Sequence, residues 1–231
     1  MRIPTLFLLG STILLSQFTP IRVEAQAASG DHMDASVALR FGTPGFGVEV
    51  SKLLMGHVGV RVGANYFKFN KTRTQSNVTY DATLKMESFS ALIDLFPGNR
   101  GSFHFTGGLM TDPAKVNGTG KPNTSGSFTI NGNSYTTAEV GILTAEVKYP
   151  GVSPYVGIGF GTPARSGAAL GFLFDLGATI GKATVALDAT GAASNPSLAA
   201  DLKAQQAKTQ ADVQKFAKIY PVISFGIAYR F

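Results

Sequence analysis

The sequence predicts an all-β protein: a transmembrane, antiparallel, up-and-down β-barrel of about ten strands, with eight as the alternative count, and one helix in a late extracellular loop. Three observations carry this. From Ala35 onward apolar side chains recur at every second position, the period of a strand with one greasy face. The alternate positions are mostly Gly, Ala and Ser with an occasional Arg or Asp, which suits a crowded lumen better than a sheet facing water. Beyond the N-terminus no apolar run approaches the roughly 20 residues of a spanning helix, so a membrane would be crossed by strands, and only a closed sheet pairs every backbone group in hydrocarbon.

Composition agrees with a single unit of this kind. The chain has 231 residues, 15% of them charged, with 27 glycines and no cysteine, which excludes disulfides and thiolate metal sites. The net charge of +6 comes from scattered rather than striped Lys and Arg, so nucleic-acid binding is not expected. Arg2, the apolar run from Leu6 to Leu15 and the small-residue sites Val23-Glu24-Ala25 and Ala25-Gln26-Ala27 read as a secretory signal peptide over residues 1–27, followed by a barrel domain over 28–231. The apolar run is too short for an anchor, and no lipidation cysteine accompanies it.

Alternation marks each crossing. Ile223, Phe225, Ile227, Tyr229 and Phe231 oppose Ser224, Gly226, Ala228 and Arg230; Val58, Val60 and Val62 oppose Gly59, Arg61 and Gly63; Leu170, Phe172, Phe174 and Leu176 oppose Gly171, Asp175 and Gly177. Strands are expected near 35–42, 45–53, 57–70, 79–95, 102–112, 137–149, 153–161, 168–179, 182–190 and 219–231. Eight crossings result if 35–53, with its tight Gly42-Thr43-Pro44-Gly45 connection, forms no transmembrane hairpin. With both termini in the periplasm, the turns at Pro97–Gly101 and Pro150–Val152 are expected there, and segments 113–136 and 191–218 outside. Asn131-Gly132 signals a two-residue hairpin. Asn195-Pro196, an N-cap followed by Pro at the first helical position, opens a helix over 195–218. Its candidate face of Leu198, Leu202, Val213 and Phe216 is interrupted by Gln and Thr, which predicts a solvated loop helix.

The final residues Ser224-Phe225-Gly226-Ile227-Ala228-Tyr229-Arg230-Phe231 resemble the C-terminal assembly signal of outer-membrane barrels. The resemblance implies that Gly226, Tyr229 and Phe231, with the polar Ser224, are read by the barrel-assembly machinery. In organisation residues 35–231 are similar to small Gram-negative outer-membrane barrels of the OmpA-transmembrane, OmpX and OmpW type, an architectural likeness that implies integral outer-membrane localisation and leaves activity open.

The candidate site is the lumen. Arg40, Glu49, Arg61, Asp94, Asp175, Asp188 and Arg230, together with His104, fall on the small-residue face. Three arginines against four carboxylates predict ion pairing, because charges in a narrow low-dielectric space must be matched. A selective pore would show a ring of one sign. Gly157 and Gly159 are expected to make room for side chains from across the barrel. Lys68, Lys71, Arg73 and Lys85, with Lys115 and Lys121, should lie near the outer rim, where they could meet lipopolysaccharide phosphates.

For chemistry the inventory is thin. The three histidines are His32, His57 and His104, no pair of them at ligand spacing, so neither metal nor cofactor is expected. Three readings follow in order: a structural or interaction barrel with a closed lumen, meeting lipid or protein through its outer loops; a narrow channel for small solutes; and a lipid-modifying enzyme dependent on His104. The enzyme is the least favoured because no serine and carboxylate spacing demands it.

Overall fold

The computed structural model describes residues 35–75, 78–98, 102–111, 113–122, 126–161 and 169–231. The signal peptide expected over 1–27, and His32, lie outside them. Thirteen strands are described: β1 (Ala35–Gly42), β2 (Gly45–Met55), β3 (Val58–Gln75), β4 (Val78–Leu95), β5 (His104–Met110), β6 (Lys115–Pro122), β7 (Ser127–Ile130), β8 (Asn133–Thr136), β9 (Leu143–Lys148), β10 (Ser153–Phe160), β11 (Leu170–Ile180), β12 (Thr184–Ala189) and β13 (Ile219–Arg230). A short helix α1 (Thr137–Val140) and a long helix α2 (Pro196–Phe216) accompany them.

Eight strands close a ring in the order β1-β2-β3-β4-β5-β10-β11-β13, with β13 returning to β1 from Ser36 opposite Arg230 to Gly42 opposite Ser224. The ring therefore takes the lower of the two expected counts, and not by losing the first hairpin. Residues 35–53 do form neighbouring ring strands, paired from Ala35↔Lys52 to Gly42↔Gly45. The strands that leave the ring are β9 and β12, which the alternation places among the crossings. Local periodicity marks a strand but not the sheet position it occupies.

The departure happens at β4, which has different partners along its length. Ser90–Leu95 pairs with β5, whereas Val78–Lys85 pairs with β6. At the junction the Thr111 backbone N–H donates to the Phe89 carbonyl at 2.8 Å, and the Phe89 N–H donates to the Thr111 hydroxyl at 2.9 Å. These bonds satisfy the backbone where β5 stops. From β4 the sheet continues outward through β6, β9 and β12. Because residues 111–152 start and finish at one end of the ring, Pro150–Val152 lies at that end and not at the periplasmic turns, which corrects the expected placement.

That end also receives residues 181–218, while the opposite end holds the connections 56–57 and 96–103 and the ends of β1 and β13. Bacterial barrels keep short turns in the periplasm and long connections outside, which makes the elaborated end the outer one. Here β3 and β4, each 18 residues long, rise well above β1, which has 8.

The outer connections fold into a subdomain with its own core. Val78, Phe128, Ile130, Tyr135, Val140, Ala189, Leu198 and Leu202 are all buried in one cluster. Strands β7 and β8 form the expected hairpin, with Asn131 at φ 52° and Gly132 at φ 91°. Positive φ at both central residues defines the type I′ turn. Instead of extending the main sheet, this hairpin is a separate two-stranded sheet.

Helix α2 begins as the sequence predicts, the Asn195 side chain accepting from the Leu198 N–H at 3.1 Å and Pro196 following it. It is not a solvated loop helix. Leu198 and Leu202 are buried in the cluster, and the glutamines that interrupt its apolar face bond to backbone. Gln206 accepts from the Leu187 N–H at 3.1 Å, and Gln210 accepts from the Val185 N–H at 2.6 Å while donating to the Ala183 carbonyl at 2.7 Å. Strand β12 is the end of the sheet, and these side chains occupy groups that an open edge would offer to another chain.

Candidate functional site: the lumen and the outer rim

Strand alternation sends the large apolar residues outward. Leu39 is 68% exposed, Phe46 62%, Phe89 61% and Phe172 82%, with Val50, Val62, Ile93, Leu109, Val156 and Ile227 also exposed on ring strands. A closed ring with so continuous an apolar exterior, far beyond the patch a water-soluble surface carries, is matched by a lipid bilayer.

The inward positions hold a buried ionic network. Arg40, Glu49, Arg61, Asp94, His104 and Asp175 are each less than 10% exposed. Arg61 is its hub: its guanidinium meets Asp94 at 2.6 Å, Asp175 at 2.9 Å and Glu49 at 3.3 Å, and donates to the Thr106 hydroxyl at 3.1 Å. Arg40 pairs with Asp175, reaches Glu49 at 3.4 Å and donates to the Ser224 hydroxyl at 2.8 Å. These partners come from β1, β2, β4, β5, β11 and β13, so the network ties opposite walls together. Charges with several charge-assisted hydrogen bonds survive burial where single ones would not.

Two residues expected in the lumen network stand apart from it. Asp188 lies on β12, outside the ring, and is exposed, with its carboxylate accepting from the Ala189 N–H at 2.9 Å. The alternation that placed it inside is real, but it belongs to the outer sheet. Arg230 keeps inward parity at the periplasmic end of β13 and is half-buried, two turns of the pleat beyond Gly226 and away from the network.

His104 opens β5 near the periplasmic end. Its Nε2 lies 3.6 Å from Asp175 and 3.8 Å from Asp94, and its Nδ1 is 3.2 Å from the Ser102 carbonyl. Its ring rests against Phe96, centroids 5.2 Å apart. Among the described residues no serine hydroxyl bonds to it, and it sits at the end of the barrel opposite to where a lipid-modifying triad of the outer leaflet would need it.

The glycines on the inward face do make room for side chains, but for those of directly neighbouring strands and not from across the barrel, since Gly159 is the register partner of His104 and Asp175 and Gly226 that of Arg40. A Cβ on Gly159 would stand 2.3 Å from His104 Nε2 and 2.7 Å from Asp175, and one on Gly177 would stand 2.4 Å from the Tyr155 hydroxyl oxygen. Gly226 has a similar duty, since its Cβ would meet Arg40 Cδ at 2.8 Å. Thus Ser224 and Gly226, two positions of the assembly-signal pattern, also shape the socket of Arg40. Tyr229 and Phe231 face outward, 40% and 53% exposed.

Sequence reasoning missed an apolar layer on the outer side of this network. Leu92, Met110, Tyr155 and Val222 are buried together inside the ring with Tyr220 packed against them, and the Tyr220 hydroxyl donates to the Thr43 carbonyl at 2.6 Å. Each is a single large residue on an otherwise small or polar face; the available signal was its inward parity. A cavity of about 30 Å³ runs beside both layers, lined by Arg40, Glu49 and Asp175 of the ionic layer, Leu92 and Tyr155 of the apolar one, and Pro44 at the outer turn, among others. That is room for about two waters.

No protein-family model matches the chain, and no curated sequence does. Two solved structures share its fold: CarO2 of Acinetobacter baumannii, 20% identical with a TM-score of 0.52, and CarO of the same organism, 18% identical at 0.50. Each alignment covers 85% of this chain, and 98% and 97% of theirs respectively. The chain has the fold of a small outer-membrane β-barrel. This small barrel carries its apolar belt on the eight ring strands and its ionic network within them, and the outer rim is its second candidate site.

Register divides the basic residues of that rim. Lys68 and Lys85 are direct partners on the outward face of β3 and β4, continuing the side that carries Val62 and Phe89 below. Lys71 and Arg73 alternate with Lys68 and share parity with Arg61, so they stand on the opposite face. Lys115 and Lys121 lie outward on β6, Lys115 pairing with Glu146 at 2.7 Å and Lys121 lying 4.0 Å from Asp81.

On the outer subdomain Asp201 gathers three donors, Tyr135 at 2.5 Å, Asn133 at 2.6 Å and Asn131 at 2.9 Å. These bonds stabilise the charged carboxylate and pull its pKa down to about 2, while Tyr135, donating to it, is pushed up to about 12. A carboxyl depressed in the folded state contributes stability above its unfolded pKa of ~3.9, and that contribution falls away as pH drops toward the folded value. Expected, therefore, is a loosening of α2 from the hairpin between about pH 4 and pH 2, read as a falling protection factor (intrinsic over observed exchange rate) of the Asn131 N–H, which donates to Gln205 at 3.1 Å. Asp201→Asn should flatten that dependence; an unchanged acid profile in this variant would assign the loosening to other groups.

Proposed function

We propose that this chain is a non-conducting membrane anchor for its outer subdomain, which meets its partners by binding, with no turnover of substrate. The observation that carries this reading is the doubly filled lumen. An ionic layer of Arg40, Arg61, Glu49, Asp94 and Asp175 is overlaid by an apolar layer of Leu92, Met110, Tyr155 and Val222. Ions passing the first would have to displace matched charges, and passing the second would have to shed water among side chains with nothing to offer in return. The architecture of the outer end supports the same reading. A loop that merely closes a turn needs no core, whereas these two connections, together with Val78 of β4, bury eight residues in one cluster and cap their own sheet edge.

Planar-bilayer recording on the refolded mature chain, residues 28–231, tests this. Folded protein, verified by heat-modifiable gel migration, is expected to give no discrete steps at moderate voltage. Reproducible unitary steps would overturn the closed-lumen reading and put the narrow channel in its place.

A further inference from the structure

One row of the outer sheet has a composition that the barrel itself does not require. Lys68 on β3 lies opposite Lys85 on β4, Lys85 opposite Lys115 on β6, and Lys115 opposite Lys148 on β9. Direct cross-strand partners share a face, so four lysines stand side by side on four adjacent strands, on the outward side of the wall. Like charges directly opposite each other destabilise a sheet, and three consecutive like pairs are a cost without a structural return. Glu87 pairs with Lys85, and Glu146 pairs with Lys115 at 2.7 Å, which offsets two of the four and leaves the row net positive, with exposed Lys68 and Lys148 at its two ends.

The height of the row identifies its counterpart. Lys68 is ten residues along β3 from Val58, at the periplasmic start of the strand. At ~3.4 Å per residue and a tilt of ~40° this is about 26 Å up the barrel axis, level with the top of an apolar belt ~25 Å tall. The residues just below, Tyr66 and Phe89, are 53% and 61% exposed and end the apolar wall. A cation immediately above the acyl region and facing sideways meets lipid headgroups.

We propose that Lys68, Lys85, Lys115 and Lys148 form a binding row for the phosphate groups of the outer-leaflet glycolipid. Lysine ammoniums bind phosphate as point charges without demanding a fixed approach, so a row of them suits phosphates carried on mobile lipids. Lys71 and Arg73, being on the other face, take no part. This inference rests on the outer placement of the elaborated end and is independent of whether the lumen conducts, so a channel in bilayer recordings would leave it standing.

The test uses the mature chain in detergent micelles doped with bisphosphorylated lipid A or with the same lipid stripped of phosphate, in the presence of a chelator to remove bridging divalent cations. The wild type should bind the phosphorylated lipid at least ten-fold more tightly, with the preference shrinking as salt is raised. K68Q/K85Q/K115Q/K148Q should abolish the preference, and the smaller K68Q/K148Q should reduce it several-fold should the quadruple variant fail to show heat-modifiable migration. K71Q/R73Q should keep it whole. Equal binding of the two lipids by the wild type, loss of preference in K71Q/R73Q alone, or full displacement by inorganic phosphate at concentrations matching the lipid would each overturn the assignment, the last by identifying a site for free anions.

Discussion

Arg61→Met is expected to destabilise the barrel by about 3–5 kcal/mol, the largest effect of any single change in the lumen. Arg61 contacts Glu49, Asp94 and Asp175 at once and is 6% exposed. Methionine fills a similar volume, so the loss isolates charge from packing. What remains is three buried carboxylates with Arg40 as their one arginine and His104 Nε2 3.6–3.8 Å from two of them, and leaving a buried charge without its partner costs more than the pair contributes in the first place. Urea unfolding in lipid vesicles, followed by heat-modifiable migration, measures this. Adding Asp94→Asn to Arg61→Met should recover part of the loss, because it removes the carboxylate that Arg61 contacts most closely; a strictly additive double variant would show that Arg61 and Asp94 are not energetically coupled. A loss under about 1 kcal/mol would mean that water replaces the guanidinium with little penalty, and the lumen would then have to be regarded as wet.

Leu198→Ala should act with comparable size on a different part of the molecule. Leu198 is fully buried among Val78, Phe128, Ile130, Tyr135, Val140, Ala189 and Leu202. Truncating a leucine in such a setting costs about 2–5 kcal/mol, depending on how far the cavity collapses. Among the ring strands only β4 reaches this core, through Val78 at its outer end, well beyond the Ser90–Leu95 stretch that pairs with β5, so heat-modifiable migration should persist while α2 opens. Lys203, Lys208 and Lys215 lie on α2, and trypsin cleavage there follows the open population when opening is fast. A destabilisation of 2 kcal/mol corresponds to an approximately 30-fold faster cut. Unchanged cleavage with an intact ring would show that the glutamine bonds to β12, rather than the apolar cluster, hold the helix.

How much of this was legible in the sequence depends on whether the deciding physics is local. Outward residues such as Phe225 and Ile227 announce themselves by alternation, and so do the inward Arg40, Glu49, Arg61, Asp94 and Asp175, because a pleated strand assigns faces by parity alone. The N-cap chemistry of Asn195 and Pro196 is equally local. Ring membership is not. Residues 143–148 and 184–189 alternate like the crossings, and only the change of partner along β4 shows that they belong to the outer sheet; Asp188 was misplaced for that reason. Helix α2 was misjudged because Gln206 and Gln210 count as polar interruptions of an apolar stripe until an unpaired strand edge is seen beside them. The lysine row was half visible: Lys68 and Lys85 read as rim charges, but their alignment with Lys115 and Lys148 is a product of register across four strands.

The outer subdomain is stitched from two connections that leave and re-enter the ring at different places, 111–152 between β5 and β10 and 181–218 between β11 and β13. Asn131, Asn133 and Tyr135 of the first close on Asp201 of the second, and Val140 of the first shares a core with Leu198 of the second. Neither segment is therefore an exchangeable module. Grafting one of them onto another barrel, or diversifying one to change what the surface recognises, would strip the other of its partner, so the heritable unit at this end of the molecule is the pair, and variation in either must be answered by its mate.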